Sequence, residues 1–211
     1  MEHWTEYSRF FTTLFVISDP FAAVAIFLGL TRNFTTWERG KIVHITVATV
    51  FLVLVASALL GESMLHGMGT SLASFRVGGG IVLLLMAISM LHAETGAMRT
   101  TPAEEAEAEE KNSIAVVPLA IPLLAGPGSI STVIIEMHRS DAELHTLPVI
   151  LVIGLVCLLL WIVLRSAERI GRVLGHTGLN IVNRLFGLVL TAIAIEIMAN
   201  GLKELFPALA A

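Results

Sequence analysis

The chain has 211 residues, of which 55% are hydrophobic and only 14% charged, with a net charge of −4. A soluble domain carries about 25% charged residues. Here the apolar residues fall in long runs with charge confined to the gaps, which excludes an ordinary soluble globule and points to the bilayer. No basic patch with interleaved aromatics is present to take nucleic acid. The one cysteine, Cys157, lies in an apolar run and builds neither an intrachain disulfide nor a metal cluster.

The lead-in Met1–Phe10 carries Arg9 and two glutamates, and no small-residue cleavage site follows cleanly, so no cleaved signal peptide is expected. The first expected span, Phe10–Leu30, is interrupted by Ser18-Asp19-Pro20. The second, Ile42–Gly61, has His44 near one end, where an interfacial role is expected. The third, Phe75–Leu91, opens on Phe75-Arg76-Val77-Gly78-Gly79-Gly80. The triple glycine suits close helix approach, and it follows no strand, so a dinucleotide site does not fit. Between His92 and Ser113 runs an acidic stretch containing Glu104, Glu105, Glu107, Glu109 and Glu110, expected to be a solvated linker.

The fourth span, Ile114–Glu136, contains Pro118, Pro122 and the break Ala125-Gly126-Pro127-Gly128. The fifth is Leu147–Leu164, and the sixth is Arg184–Gly201, introduced by Asn180 and Asn183 as candidate caps. These six stretches are 17 to 23 residues long. At roughly 1.5 Å per residue they suit a hydrocarbon core about 30 Å thick. No alternating ten-residue pattern suggests a barrel, so helices are the expected way to satisfy the backbone.

One set of loops holds Arg32, Arg39, Lys41, Arg99, Lys111, Arg165, Arg169 and Arg172, against Arg9, Arg139 and Lys203 on the other side. The excess of positive charge places the first set in the cytoplasm and both termini outside it. The chain also reads as two similar halves, 1–92 and 114–211, joined by the linker 93–113. Pro20 to Arg76 is 56 residues and Pro127 to Arg184 is 57. Three spans per half is odd, so the halves are expected in opposite orientations, an inverted repeat of the kind recurrent in secondary transporters.

Proline in a helix interior costs about 3 kcal/mol, and a carboxylate at the membrane centre at least about 2.5 kcal/mol. Asp19 beside Pro20 therefore requires a polar interior. Gly126-Pro127-Gly128 is expected to unwind the second break, with Ser129 capping a new half-helix through Ser131 and Thr132. Exposed N–H groups there would attract a carboxylate, leaving Asp19 to meet an ammonium group or a proton. The bland alternative is that both prolines only kink their helices.

Arg76 and Arg184 occupy matching positions, either snorkelling to the interface or holding charge near the breaks. Glu196, about twelve residues into the last span, could be protonated and silent, pair with an arginine, or relay protons. Hydrolase, zinc-protease and Walker signatures are absent, so the chain is not expected to be an enzyme or to need a cofactor.

Asp19-Pro20, Phe75-Arg76-Val77-Gly78-Gly79-Gly80, the segment Val117-Pro118-Leu119-Ala120-Ile121-Pro122-Leu123-Leu124-Ala125-Gly126-Pro127-Gly128-Ser129-Ile130-Ser131-Thr132, and Asn183-Arg184-Leu185-Phe186-Gly187-Leu188 together resemble the MarC family of bacterial membrane proteins. The resemblance covers nearly the whole chain. It implies six spans in the inner membrane, kinship with the LysE superfamily of exporters, and a relation to SnatA, a transporter of small neutral amino acids. Two positions depart from the family pattern. Where it often reads D-P-x-G-N-x-P, this chain has Asp19-Pro20-Phe21-Ala22-Ala23-Val24-Ala25. Glu196 stands where glutamine is frequent, which opens proton coupling or altered specificity there.

The expectation is thus an all-helical membrane protein with broken first and fourth helices, carrying a small neutral amino acid by alternating access. Asp19, Pro20, Gly126, Pro127, Gly128, Ser129 and Ser131 would bind the solute, and Arg76, Arg184 and Glu196 would serve coupling or structure. Rival expectations are an exporter or channel for another small metabolite, and a non-transporting membrane scaffold.

Overall fold

A computed structural model describes residues 2–31, 34–67, 69–92, 115–139 and 145–210. Every regular element among the described residues is helical. In chain order these are α1 (Glu2–Ile17), α2 (Pro20–Leu30), α3 (Thr36–Gly67), α4 (Leu72–Leu91), a π-helical segment (Ala115–Leu124), α5 (Pro127–Met137), α6 (Thr146–Arg165) and α7 (Ala167–Leu205). A short 3-10 turn follows at Pro207–Ala210. The acidic linker with Arg99 and Lys111, the loop residue Arg32, and Ile114 lie outside the described residues.

Five stretches among the described residues are long and apolar enough to cross a membrane: Thr5–Leu30, Thr36–Gly61, Leu72–Leu91, Thr146–Arg165 and Thr177–Leu205. The sequence suggests six. The difference is the fourth expected span, which is divided into a ten-residue π segment and an eleven-residue α5. The first span is divided too, between α1 and α2, yet its pieces count together as one crossing.

Two helices begin earlier than hydropathy suggests. At the start of α3, Thr35 N–H donates to Glu38 Oε2 at 2.8 Å and Glu38 N–H donates back to Thr35 Oγ1 at 3.3 Å. This reciprocal cap starts the helix well before the apolar run at Ile42. The last helix starts at Ala167, so Arg169 and Arg172, expected in a loop, lie on its opening turns. It bends at Gly175, whose φ of 60° and ψ of −176° belong to a region essentially reserved for glycine. Asn180 and Asn183 therefore sit inside α7, not ahead of it, and no capping bond from either is seen among the described residues, contrary to expectation.

α6 shows why an all-apolar helix is needed. Val149, Ile153, Val156, Leu160 and Leu164 form a buried stripe, while Leu147, Leu151, Leu155, Leu158 and Ile162 form an exposed one. Both stripes follow helical spacing and both are apolar, as a helix between a protein core and lipid tails requires.

The helices pack in antiparallel pairs. α3 meets α6 through the His44–Trp161 rings, 5.8 Å apart, and through Phe51 beside Gly154. α4 meets α7 so closely that a Cβ on Gly201 would lie 2.9 Å from the Ala73 carbonyl oxygen, and one on Gly187 would lie 3.0 Å from that of Ala87. Gly80 fits against Ala194 and Met198 in the same seam. Small residues set this approach distance, in line with the triple glycine. α1 runs antiparallel to α5, with Glu6 near Arg139 at one end and Ile17 near Gly128 at the other.

Candidate functional site at two helix breaks

The first break is a helix end followed at once by a helix start. Asp19 N–H closes α1 on the Val16 carbonyl at 3.1 Å, and Ala23 N–H opens α2 on the Asp19 carbonyl at 3.1 Å. Between them Asp19 adopts a left-handed conformation, φ 45° and ψ 64°, the one positive-φ non-glycine among the described residues. A short acidic side chain tolerates this by bonding locally: Asp19 Oδ1 accepts from Ala22 N–H at 3.2 Å and caps α2. Pro20 occupies the first helical position, where its missing N–H costs nothing. Asp19 is 1% exposed and Ser18 is fully buried beside it. The Ser18 hydroxyl has no hydrogen-bond partner among the described residues.

The second break is built on the same plan with different chemistry. Pro118 and Pro122 remove two donors from the approaching helix. The backbone there winds wider, and Ala125 N–H reaches five residues back to the Ala120 carbonyl at 2.8 Å. α5 then starts with Pro127 at its first turn. α5 and α2 are both eleven residues long and both begin on proline. The capping position before Pro127 is Gly126, which supplies no side-chain cap. Ser129, expected from sequence to cap this helix, lies within the first turn instead. Its hydroxyl donates back to the Leu124 carbonyl at 2.9 Å, tying the two pieces of the broken span together.

The two breaks lie against each other. A Cβ on Gly128 would approach Leu83 of α4 at 2.4 Å and Ile17, the last residue of α1, at 3.2 Å. A Cβ on Gly79 would lie 2.9 Å from Ser131 Cβ, so the second glycine of the triple run seats α4 against α5. Asp19, Ser129 and Ser131 are all buried in this region. Each half-helix start contributes roughly half a positive charge. At α2 that charge meets the protein's own carboxylate. At α5 the cap position carries no side chain at all.

The remaining expected residues fall elsewhere. Arg76 forms an ion pair with Glu204 at the end of α7, away from Asp19. Arg184 is exposed, near the opposite end of the α4–α7 seam. Glu196 is exposed and borders a cavity of about 730 Å³ between α1, α4, α5 and α7. His44 is exposed and accepts from Trp161 Nε1 at 3.3 Å.

Three polar groups that the sequence marks only as caps or a span end prove to be buried. Thr132 Oγ1, Glu136 Oε1 and Asn183 Oδ1 are buried without a hydrogen-bond partner among the described residues. Thr132 and Glu136 could have been found as a polar row on one face of α5, at i and i+4 spacing. Asn183 was visible only as a cap candidate, because the apolar run hid how early α7 begins.

Comparison with known proteins places the chain in a family. Residues 4–206 match the family model described as MarC family integral membrane protein. The chain is 36% identical over 203 residues to the UPF0056 membrane protein YhcE of Escherichia coli, covering 96% of this chain and 94% of that one. It is 38% identical over 193 residues to the UPF0056 membrane protein MJ1677 of Methanocaldococcus jannaschii, covering 92% and 94% respectively. A relative in Bacillus subtilis, the UPF0056 membrane protein YvbG, is 33% identical over 200 residues, covering 94% of this chain and 95% of that one. No solved structure matches the chain.

Proposed function

The chain belongs to the MarC family of integral membrane proteins, and from that premise we propose that it is a secondary transporter of small neutral amino acids working by alternating access. One observation carries the reading. The two breaks lie against each other through Ile17 and Gly128, and the cap position filled by the Asp19 carboxylate at α2 is filled by side-chain-free Gly126 at α5. A solute carboxylate at the α5 start would take the role that Asp19 plays at the α2 start, accepting from the first-turn N–H groups of Gly128 and Ser129. Asp19 would then face the solute ammonium, and Ser18 and Ser131 would supply hydroxyls.

Alternating access needs two bodies that can rock against one another. We assign these to an inverted repeat, 1–92 and 114–211, with six spans when the π segment and α5 together make the fourth. The antiparallel pairing of counterpart helices supports this: α3 with α6, and α4 with α7. In this reading both termini lie outside the cytoplasm of a bacterial inner membrane. Coupling to protons would run through Asp19 or Glu196, since no nucleotide-binding motif is encoded.

The test is uptake of labelled glycine and alanine by proteoliposomes containing the purified chain. Saturable uptake that larger amino acids do not compete for is the expected result. Flux no greater than that of empty vesicles, from folded protein, would overturn the proposal.

A further inference from the structure

The cavity bordered by Glu196 lies away from the breaks, at the end of the molecule where α1 starts. α5 and the turn after it supply Thr132, Ile135, Glu136 and Arg139 to its lining. Thr132 and Glu136 stand one turn apart on that helix, and Thr132 is one turn beyond the Ser129 region of the second break. Glu136 is 7% exposed and Thr132 is 6% exposed, and both line the cavity.

Their hydrogen bonding is incomplete in a specific way. Glu136 Oε2 faces the Arg139 guanidinium at 3.6 Å, and Arg139 in turn reaches Glu6 of α1 at 3.4 Å. Glu136 Oε1 and Thr132 Oγ1 are buried and have no hydrogen-bond partner among the described residues. Buried polar atoms are satisfied in roughly nine cases out of ten, so two orphans on one wall of one cavity call for a ligand. The Glu136 backbone is fixed independently. His145 Nε2 bonds its carbonyl at 2.9 Å, and the Tyr7 hydroxyl holds the other ring nitrogen of His145 at 3.0 Å. The orphan carboxylate oxygen is therefore carried on a backbone held in place.

We propose that this cavity is a second solute site, a water-accessible vestibule whose floor, Glu136 Oε1 with Thr132 Oγ1, binds the ammonium group of a small zwitterion before it reaches the helix breaks. A carboxylate oxygen and a hydroxyl accept two N–H bonds from an ammonium. Arg9, on the wall from α1, offers positive charge to the carboxylate end. Ser129, Thr132 and Glu136 then form a polar row along α5 from break to vestibule. The inference rests on the transport reading for the identity of the solute, but the cavity chemistry is testable without it.

The experiment uses the full chain in proteoliposomes, with Cys157→Ala to remove the native thiol and Asn200→Cys at the cavity rim as the reporter. Two thiol reagents of matched size are compared, methanethiosulfonate ethylammonium and methanethiosulfonate ethylsulfonate. The vestibule predicts that the cationic reagent modifies the reporter, that alanine slows it, and that adding Glu136→Gln lowers its rate by about tenfold while raising that of the anionic reagent, as loss of one nearby negative charge implies. Should the reporter protein fail to fold, Thr12→Cys on the α1 wall is read the same way. Absence of modification by either reagent overturns the vestibule. A rate indifferent to Glu136→Gln overturns the ammonium site. Alanine flux with either of those results leaves the transport reading standing without this site. Protection by alanine without flux leaves the site standing and removes transport.

Discussion

Asp19 has two separable duties, and substitution can separate them. It caps α2 in a left-handed conformation, and it would carry the charge that meets the solute. An asparagine at this position keeps an acceptor for Ala22 N–H and tolerates the same φ, so Asp19→Asn should melt within a few degrees of the wild type in detergent. Its KM for alanine should nevertheless rise at least about tenfold, as loss of a charged hydrogen bond implies. Asp19→Ala loses the cap, worth about 1 kcal/mol, and adds left-handed strain of about 1–2 kcal/mol; its melting temperature should fall clearly. Unchanged transport by Asp19→Asn would remove the carboxylate from the mechanism. A second prediction concerns Gly79. Its Cβ would press on Ser131 Cβ, which cannot turn away, so Gly79→Ala should cost about 1–3 kcal/mol by thermal unfolding. The same change on Gly78, which has open space beside it, should cost far less. Asp19, Pro20 and Gly126 were legible because proline and glycine declare backbone breaks directly. Thr132 and Glu136 were not, because a hydroxyl and a carboxylate near a span end look the same in sequence whether they face solvent or a cavity.

At the scale of elements, hydropathy located the apolar centres and misplaced the ends. Caps and bends decide where a helix stops, and they depend on a few polar residues outside the apolar run. Thr35 and Glu38 extend α3 this way, and Gly175 allows α7 to begin on the charged stretch around Arg169. Gly175 offers a direct check. Its backbone conformation excludes a side chain, so Gly175→Ala should destabilise by about 1–3 kcal/mol although nothing lies near its Cβ. Unchanged unfolding would mean that the bend is not held in the folded protein. The second break shows a subtler limit. Sequence marks Gly126-Pro127-Gly128 as an unwound point but assigns Ser129 to capping. The wide turn at Pro118 and Pro122 brings the Leu124 carbonyl within reach, and the hydroxyl donates there instead. Ser129→Ala should leave that carbonyl without its donor at a cost of about 1–3 kcal/mol, read as a lower melting temperature.

For the whole molecule, the claims are about symmetry and movement. Matching spacings in the two halves suggest the repeat, and the antiparallel seams α3–α6 and α4–α7 pack in a way that an inverted pair of three-helix units would produce. Reporter fusions at the two ends check the orientation: an alkaline phosphatase, which works only outside the cytoplasm, should be active at both. An inactive phosphatase at either end, with a cytoplasmic reporter active in its place, would overturn the topology. The central claim is that the two abutting breaks form one solute site that faces each side in turn, and counterflow tests it most directly. Proteoliposomes loaded with unlabelled alanine and diluted into a trace of labelled alanine should accumulate label transiently above its equilibrium level. Label that only equilibrates, with a rate indifferent to internal alanine, would contradict alternating access.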